Sequence, residues 1–140
     1  MHTTIAPAKK RILSQPQILV IENEQDTFCL TNSLKLLNCS CLTASKAMPA
    51  LSLAQQEQPD LILLDLQMPQ FNGIELLNTL RIDWLTRSIP VVAMIARTAE
   101  LKKLVSKVEF EGYLLKPYTQ KDLQTAIALH LPNLVDNRQI

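Results

Sequence analysis

Residues 61–73 read LILLDLQMPQFNG, and this stretch decides the fold. Four apolar residues, Leu61 to Leu64, run without a break and stop at an acid, Asp65. Met68-Pro69 and Asn72-Gly73 follow as breakers. A continuous Leu/Ile run bounded this way reads as a strand buried on both faces, the kind found in parallel sheets. Asp65 then stands at the strand's carboxyl end, where open α/β sheets bind ligands and do chemistry.

The flanking sequence repeats the pattern. Gln17 to Ile21 (QILVI) reads as a buried strand ending at Glu22-Asn23-Glu24. From Gln25 to Asn38, Phe28, Leu30, Leu34 and Leu37 recur at helical spacing, and Asn38 is a stop signal. Ser40 to Thr43 is a weaker second strand. Ser45 is expected to cap a helix over Lys46 to Gln56, with Pro49 tolerated in its first turn. After Gly73 a helix is expected to about Trp84, with Ile74, Leu77, Leu80 and Trp84 on one side. Val91 to Ile95 (VVAMI) is a fourth strand, Thr98 to Val108 a fourth helix, and Gly112 to Leu115 a fifth strand ending at Lys116-Pro117. Thr119 caps a last helix that sets Leu123, Ile127 and His130 or Leu131 inward and stops at Pro132. Alternating strands and helices with short loops imply parallel strands and right-handed crossovers. The expectation is a doubly wound α/β fold, five parallel strands in the order 2-1-3-4-5 with five helices. Residues 1–16 read as a flexible tail, 17–132 as the domain, and 133–140 as a second tail.

A chain of 140 residues that is 47% hydrophobic and 19% charged supports one globular core. No apolar run is long enough to span a bilayer. A net charge of +1 argues against nucleic acid as the main partner. Three cysteines, Cys29, Cys39 and Cys41, with no secretory signal ahead of them, point to a reducing cytoplasm. Cys39 and Cys41 read as small buried hydrophobes rather than metal or redox ligands. Trp84 reads as a packing residue and His130 as a helix-end residue. Lys102, Lys103 and Lys107 read as a solvated helix face, with a partner surface as the alternative.

Three of the five strands end in ionisable groups: Glu22, Asp65 and Lys116. In the order 2-1-3-4-5 the first and third strands are neighbours, so Glu22, Asn23 and Asp65 should converge at the crevice between their carboxyl ends. Adjacent carboxylates repel unless they hold a divalent cation or shift a pKa. With Lys116 close by, the set suits a carboxylate that attacks a phosphoryl group.

ILVIENE, DLILLDLQMPQFNGIELL, IPVVAMIA and GYLLKPYTQKDL together resemble a response-regulator receiver domain of the stand-alone chemotaxis type, over about Gln17 to Leu131. The resemblance implies the flavodoxin-like sandwich already inferred. It implies that Asp65 accepts a phosphoryl group from a histidine kinase or phosphotransfer protein. Magnesium would be held by Glu22, Asn23, Asp65 and the backbone carbonyl of Gln67. Lys116 would contact the phosphate, and Tyr113 would be the aromatic residue whose rotamer reports activation. Output would pass by contact with a downstream protein, with no nucleic acid or membrane involved and self-association left open.

Two residues depart from the family pattern. Asn23 stands where the second acid, usually the direct magnesium ligand, is found. Losing that charge should weaken magnesium binding by about one to two orders of magnitude. Ile95 stands where the family has Thr or Ser, so a hydroxyl that would bond a phosphoryl oxygen is missing, unless Thr98 substitutes. Such a bond contributes about 1.5–3 kcal/mol. The leading expectation is a signalling receiver with an impaired magnesium site and switch, not an enzyme. The alternative is a pseudo-receiver that binds partners without phosphorylation. An aspartate phosphatase would want an acid at Gln67, and a dinucleotide enzyme a glycine-rich loop, which two glycines do not supply.

Overall fold

The computed structural model describes residues 15–69, 71–96 and 110–131. Five strands are present: β1 (Gln17–Ile21), β2 (Ser40–Ala44), β3 (Leu61–Asp65), β4 (Val91–Ala96) and β5 (Gly112–Lys116). They form one parallel sheet in the order β2-β1-β3-β4-β5. Four helices lie among the described residues: α1 (Glu24–Leu36), α2 (Ala47–Glu57), α3 (Gly73–Ile82) and α4 (Gln120–Ala128). The helix expected over Thr98 to Val108, with its lysines, lies outside them, as do residues 1–14 and 132–140.

Side chains alternate across each strand, so the sheet has two cores. Ile18, Val20, Leu61, Leu63, Val92, Met94 and Leu114 face one side. There they pack with Leu30 and Leu34 of α1 and Leu123 and Ile127 of α4. Leu19, Ile21, Ile62, Leu64, Val91, Ala93 and Ile95 face the other, against Ala50 and Ala54 of α2 and Leu76, Leu77 and Leu80 of α3. β1 and β3 are buried along their whole length, as the unbroken apolar runs require. Cys39 and Cys41 pack with the first core, and burial raises their thiols to about 12 and about 11.

Several local expectations need correction. Phe28 is 71% exposed, because the buried stripe of α1 runs through Leu30 and Leu34 to Leu37 and Phe28 lies off it. Ser45 does not cap α2; the N-cap is Lys46, with no side-chain cap bond. α3 ends at Ile82, not Trp84, and its buried side includes Leu76 while Ile74 is only half-buried. The cause is a tight turn after Ile82. Thr86 is fully buried and its hydroxyl donates to the Leu80 carbonyl at 2.7 Å, and the Leu85 amide donates to Asp83 at 2.9 Å. Trp84 is thereby left 73% exposed rather than packed.

Candidate functional site

The alternation that divides the core also builds the site. Glu22 continues the face of Ile18 and Val20, Asp65 that of Leu61 and Leu63, and Lys116 that of Leu114. All three therefore emerge on the α1/α4 side at the carboxyl edge of the sheet. The Lys116 ammonium donates to Glu22 Oε2 at 2.8 Å and to Asp65 Oδ2 at 3.0 Å. Asp65 Oδ1 accepts from the Gln67 amide at 2.8 Å. Lys116 reaches this point across β4, from the edge strand to the two central strands, and its bond to Pro117 is cis. Gly73, the first residue of α3, holds the turn against β3. A Cβ there would lie 2.8 Å from the Leu66 Cα and 3.0 Å from the Asp65 carbonyl oxygen, so only glycine fits. Asn72 caps α3 by accepting from the Ile74 amide at 2.9 Å.

Burial and charge pull the acids apart. Burial, with a hydrogen bond to Asp65, raises the Glu22 carboxyl from 4.5 to about 7, against the opposing pull of Lys116. Burial also works to raise Asp65, but the Glu22 hydrogen bond, the Gln67 amide and Lys116 together bring it below its ordinary value. Lys116 loses hydration, yet its two carboxylate partners hold its pKa above the usual value. Asp65 is thus the more acidic carboxyl of the pair, with a cation on one of its oxygens. A cleft of about 510 Å³ opens beside it, lined by Glu22, Asp26, Cys29, Lys116 and Tyr118.

Other expected site residues are placed elsewhere. The Asn23 carboxamide is the N-cap of α1. Its oxygen accepts from the Asp26 amide and its nitrogen donates to the Asp26 carboxylate, both at 3.0 Å. An Asn followed three residues later by an acid is a capping signature that could have been read from the sequence. Ile95 is fully buried on the opposite face, where Leu115 and Phe110 also pack. Tyr113 shares that face by alternation. Its ring is half-exposed and meets Phe110 edge-on, with centroids 6.3 Å apart. Residue alternation separates Ile95 and Tyr113 from the Glu22–Asp65–Lys116 cluster. Gln67 offers more than the expected carbonyl, since its side-chain oxygen accepts from the Ala96 amide at 2.7 Å.

Residues 18–128 match the family model described as the response regulator receiver domain. The chain belongs to the receiver-domain family. Its sheet order, its buried Asp65 and the lysine bridge agree with that membership. It is 32% identical over 108 residues to the phosphate regulon transcriptional regulatory protein PhoB of Pseudomonas aeruginosa, covering 76% of this chain and 47% of that protein. It is 30% identical over 111 residues to protein PilH of the same species, covering 79% of this chain and 92% of PilH. The chain thus spans about half of PhoB and nearly all of PilH. Among solved structures, the receiver domain of sensor histidine kinase PA1611 from Pseudomonas aeruginosa PAO1 superposes with a TM-score of 0.77 at 20% identity, over 84% of this chain and 98% of that one. That structure has a magnesium ion coordinated in its active-site cleft.

Several oxygens that a divalent cation at this site would take are engaged by other partners. Magnesium takes compact octahedral oxygen shells that favour carboxylates. Glu22 and Asp65 are both turned onto one ammonium, and the Asn23 oxygen is spent on the α1 amide. Among the described residues no group of three or more His, Cys, Asp or Glu side chains is placed to hold a metal ion. Among those residues, too, no helix is long and apolar enough to cross a membrane.

Proposed function

We infer that this receiver, residues 17–132, accepts a phosphoryl group at Asp65 from a histidine kinase or phosphotransfer protein. It passes the signal on by contact with a downstream protein in the cytoplasm. The observation that carries the reading is Asp65 itself: buried, ionised, at the carboxyl end of a central strand and 3.0 Å from the Lys116 ammonium. An Asp65 oxygen bonds to phosphorus while the donor's P–N or P–O bond breaks, and its electron pair returns to the donor. Lys116 neutralises charge on the transferred oxygens. Hydrolysis reverses the state: a water oxygen bonds to phosphorus, the Asp65–phosphorus bond breaks, and inorganic phosphate leaves. With magnesium poorly accommodated, this chain's own cation does more of the neutralising, and transfer is expected to be slow.

A second reading is a pseudo-receiver that docks partners without phosphorylation. The specific observation in its favour is Ile95, fully buried and without a hydroxyl to draw the end of β4 toward a phosphoryl oxygen. Intact mass after incubation with acetyl phosphate and magnesium chloride separates the two. One added phosphoryl group in the natural chain, absent in Asp65→Asn, supports the receiver. No adduct under conditions that label an ordinary receiver supports the pseudo-receiver.

A further inference from the structure

The amino edge of the sheet, opposite Asp65, displays apolar side chains that the core does not use. In the turn between α3 and β4, Ile82 is 82%, Trp84 73% and Leu85 37% exposed. The turn is nonetheless held firmly. Asp83 accepts from the Gln55 side chain at 2.5 Å and from the Leu85 amide at 2.9 Å, and the Gln58 side chain donates to the Leu85 carbonyl at 2.8 Å. Buried Thr86 anchors it from beneath. A fixed support therefore keeps these side chains outside.

The chain enters the sheet at the same edge. The Gln17 amide donates to Asp60 Oδ2 and the Asp60 amide donates to the Gln17 carbonyl, both at 2.8 Å. Asp60 follows Gln58 by two residues, so the point where residues 1–14 join the domain and the Trp84 turn both lie at the end of α2. Residues 1–14 carry Lys9, Lys10 and Arg11 beside Ile12 and Leu13, with Ile5 further out and no acid. Glu57, Asp60 and Asp83 stand along the path from Gln17 to Trp84, with Arg87 beyond them. Ile5 to Ser14 reach roughly 33 Å when extended, against a radius of gyration of about 13 Å for a domain of about 100 residues.

The size of the patch selects its occupant. Its three side chains expose on the order of 400 Å², about half of the roughly 800 Å² that each partner gives to a stable complex. A second copy or a free partner would lose its translational freedom for that small gain. A segment tethered a few residues away loses much less, because its link already holds it close. We propose that residues 5–13 of this same chain dock on the Ile82–Trp84–Leu85 turn, with Ile12 and Leu13 against the indole and Lys9, Lys10 and Arg11 toward Glu57, Asp60 and Asp83. The contact lies at the edge remote from Asp65 and does not depend on its phosphorylation.

Trp84 is the single tryptophan of the chain, so its fluorescence reads the contact directly. The test compares the full chain with full-length Ile12→Asp/Leu13→Asp, by acrylamide quenching and emission wavelength over a range of protein concentrations. It also compares the full chain with Trp84→Ala, by the rate of limited trypsin cleavage after Lys9, Lys10 and Arg11. Both variants change residues outside the two cores, and a melting curve confirms that each is folded. In the double variant, emission is expected to shift to the red and quenching to increase. In Trp84→Ala, cleavage is expected to be about threefold to tenfold faster, since cleavage of a transiently released segment follows its released population. Shielding of Trp84 that is lost on dilution means that a second copy covers the patch, and overturns the proposal. A Trp84 that is as quenchable in the natural chain as in the double variant, or an unchanged trypsin rate in Trp84→Ala, overturns it as well.

Discussion

Glu22 is 1% exposed, bonded to Lys116 and set against Asp65, and its carboxyl titrates at about 7 rather than 4.5. Between those two pH values the folded protein keeps a proton that the unfolded chain has released. The stability this contributes is fully present below about 4.5 and is lost as pH rises toward about 7. The loss is at most about 3–4 kcal/mol, from ~1.4 kcal/mol per pKa unit. Asp65 works with the opposite sign: its lowered pKa adds stability above the ordinary value of 3.8 that is lost as pH falls below it. In Glu22→Gln, which stays neutral, urea unfolding should show a flatter pH profile between 4.5 and 7; an unchanged slope would contradict the buried protonated Glu22. Ile95 supplies a second residue-level expectation. A hydroxyl in its fully buried, apolar setting should cost about 1–3 kcal/mol in Ile95→Thr, measured by the same unfolding. The three clustered residues were legible in the sequence because strand alternation alone puts Glu22, Asp65 and Lys116 on one face. The same rule puts Ile95 and Tyr113 on the other, a consequence the motif matches do not reveal.

At the scale of single elements, α1 and α3 start beside the site and are fixed by residues that also shape it. Asn23 caps α1 through the Asp26 amide at 3.0 Å, so Asn23→Ala should cost about 1 kcal/mol in urea unfolding. Asn23→Asp keeps a capping oxygen and adds a carboxylate. It should acquire a stabilising thermal shift on adding magnesium chloride that the natural chain lacks; equal shifts in both would contradict the poor fit of the donors. Gly73→Ala drives a methyl to 2.8 Å from backbone at Leu66 and should destabilise by about 1–3 kcal/mol, again by denaturant unfolding. Strands were read almost to the residue, because unbroken apolar runs have few alternatives. Helix ends were read less well. Lys46 begins α2 without a side-chain cap, and α3 stops at Ile82 because Thr86 satisfies a carbonyl of its last turn from within the core. A buried threonine six residues beyond its partner leaves no local sequence signal. Phe28 and Trp84 misled for a related reason, since large apolar residues at nearly helical spacing can still fall off the buried stripe.

For the whole molecule, the order β2-β1-β3-β4-β5 gathers groups far apart in the chain into one crevice. Lys116 meets Glu22 across 94 residues and Asp65 across 51. The parallel sheet makes this possible by aligning every carboxyl end at one edge. That arrangement followed from the alternation of strands and helices and the positions of Pro and Gly. What it does not dictate is how the receiver site settles once assembled, with Asn23 turned to a helix, Gln67 reaching β4 and one lysine serving two acids. These depend on which partner each side chain finds nearest. The central claim is that Asp65 carries the phosphoryl group. The most direct measurement treats the chain with acetyl phosphate, reduces it with borohydride and maps the peptides by mass spectrometry, because borohydride converts an aspartyl phosphate to homoserine. The account predicts homoserine at residue 65 and at no other aspartate. An unmodified Asp65, or homoserine at a different position, would contradict it.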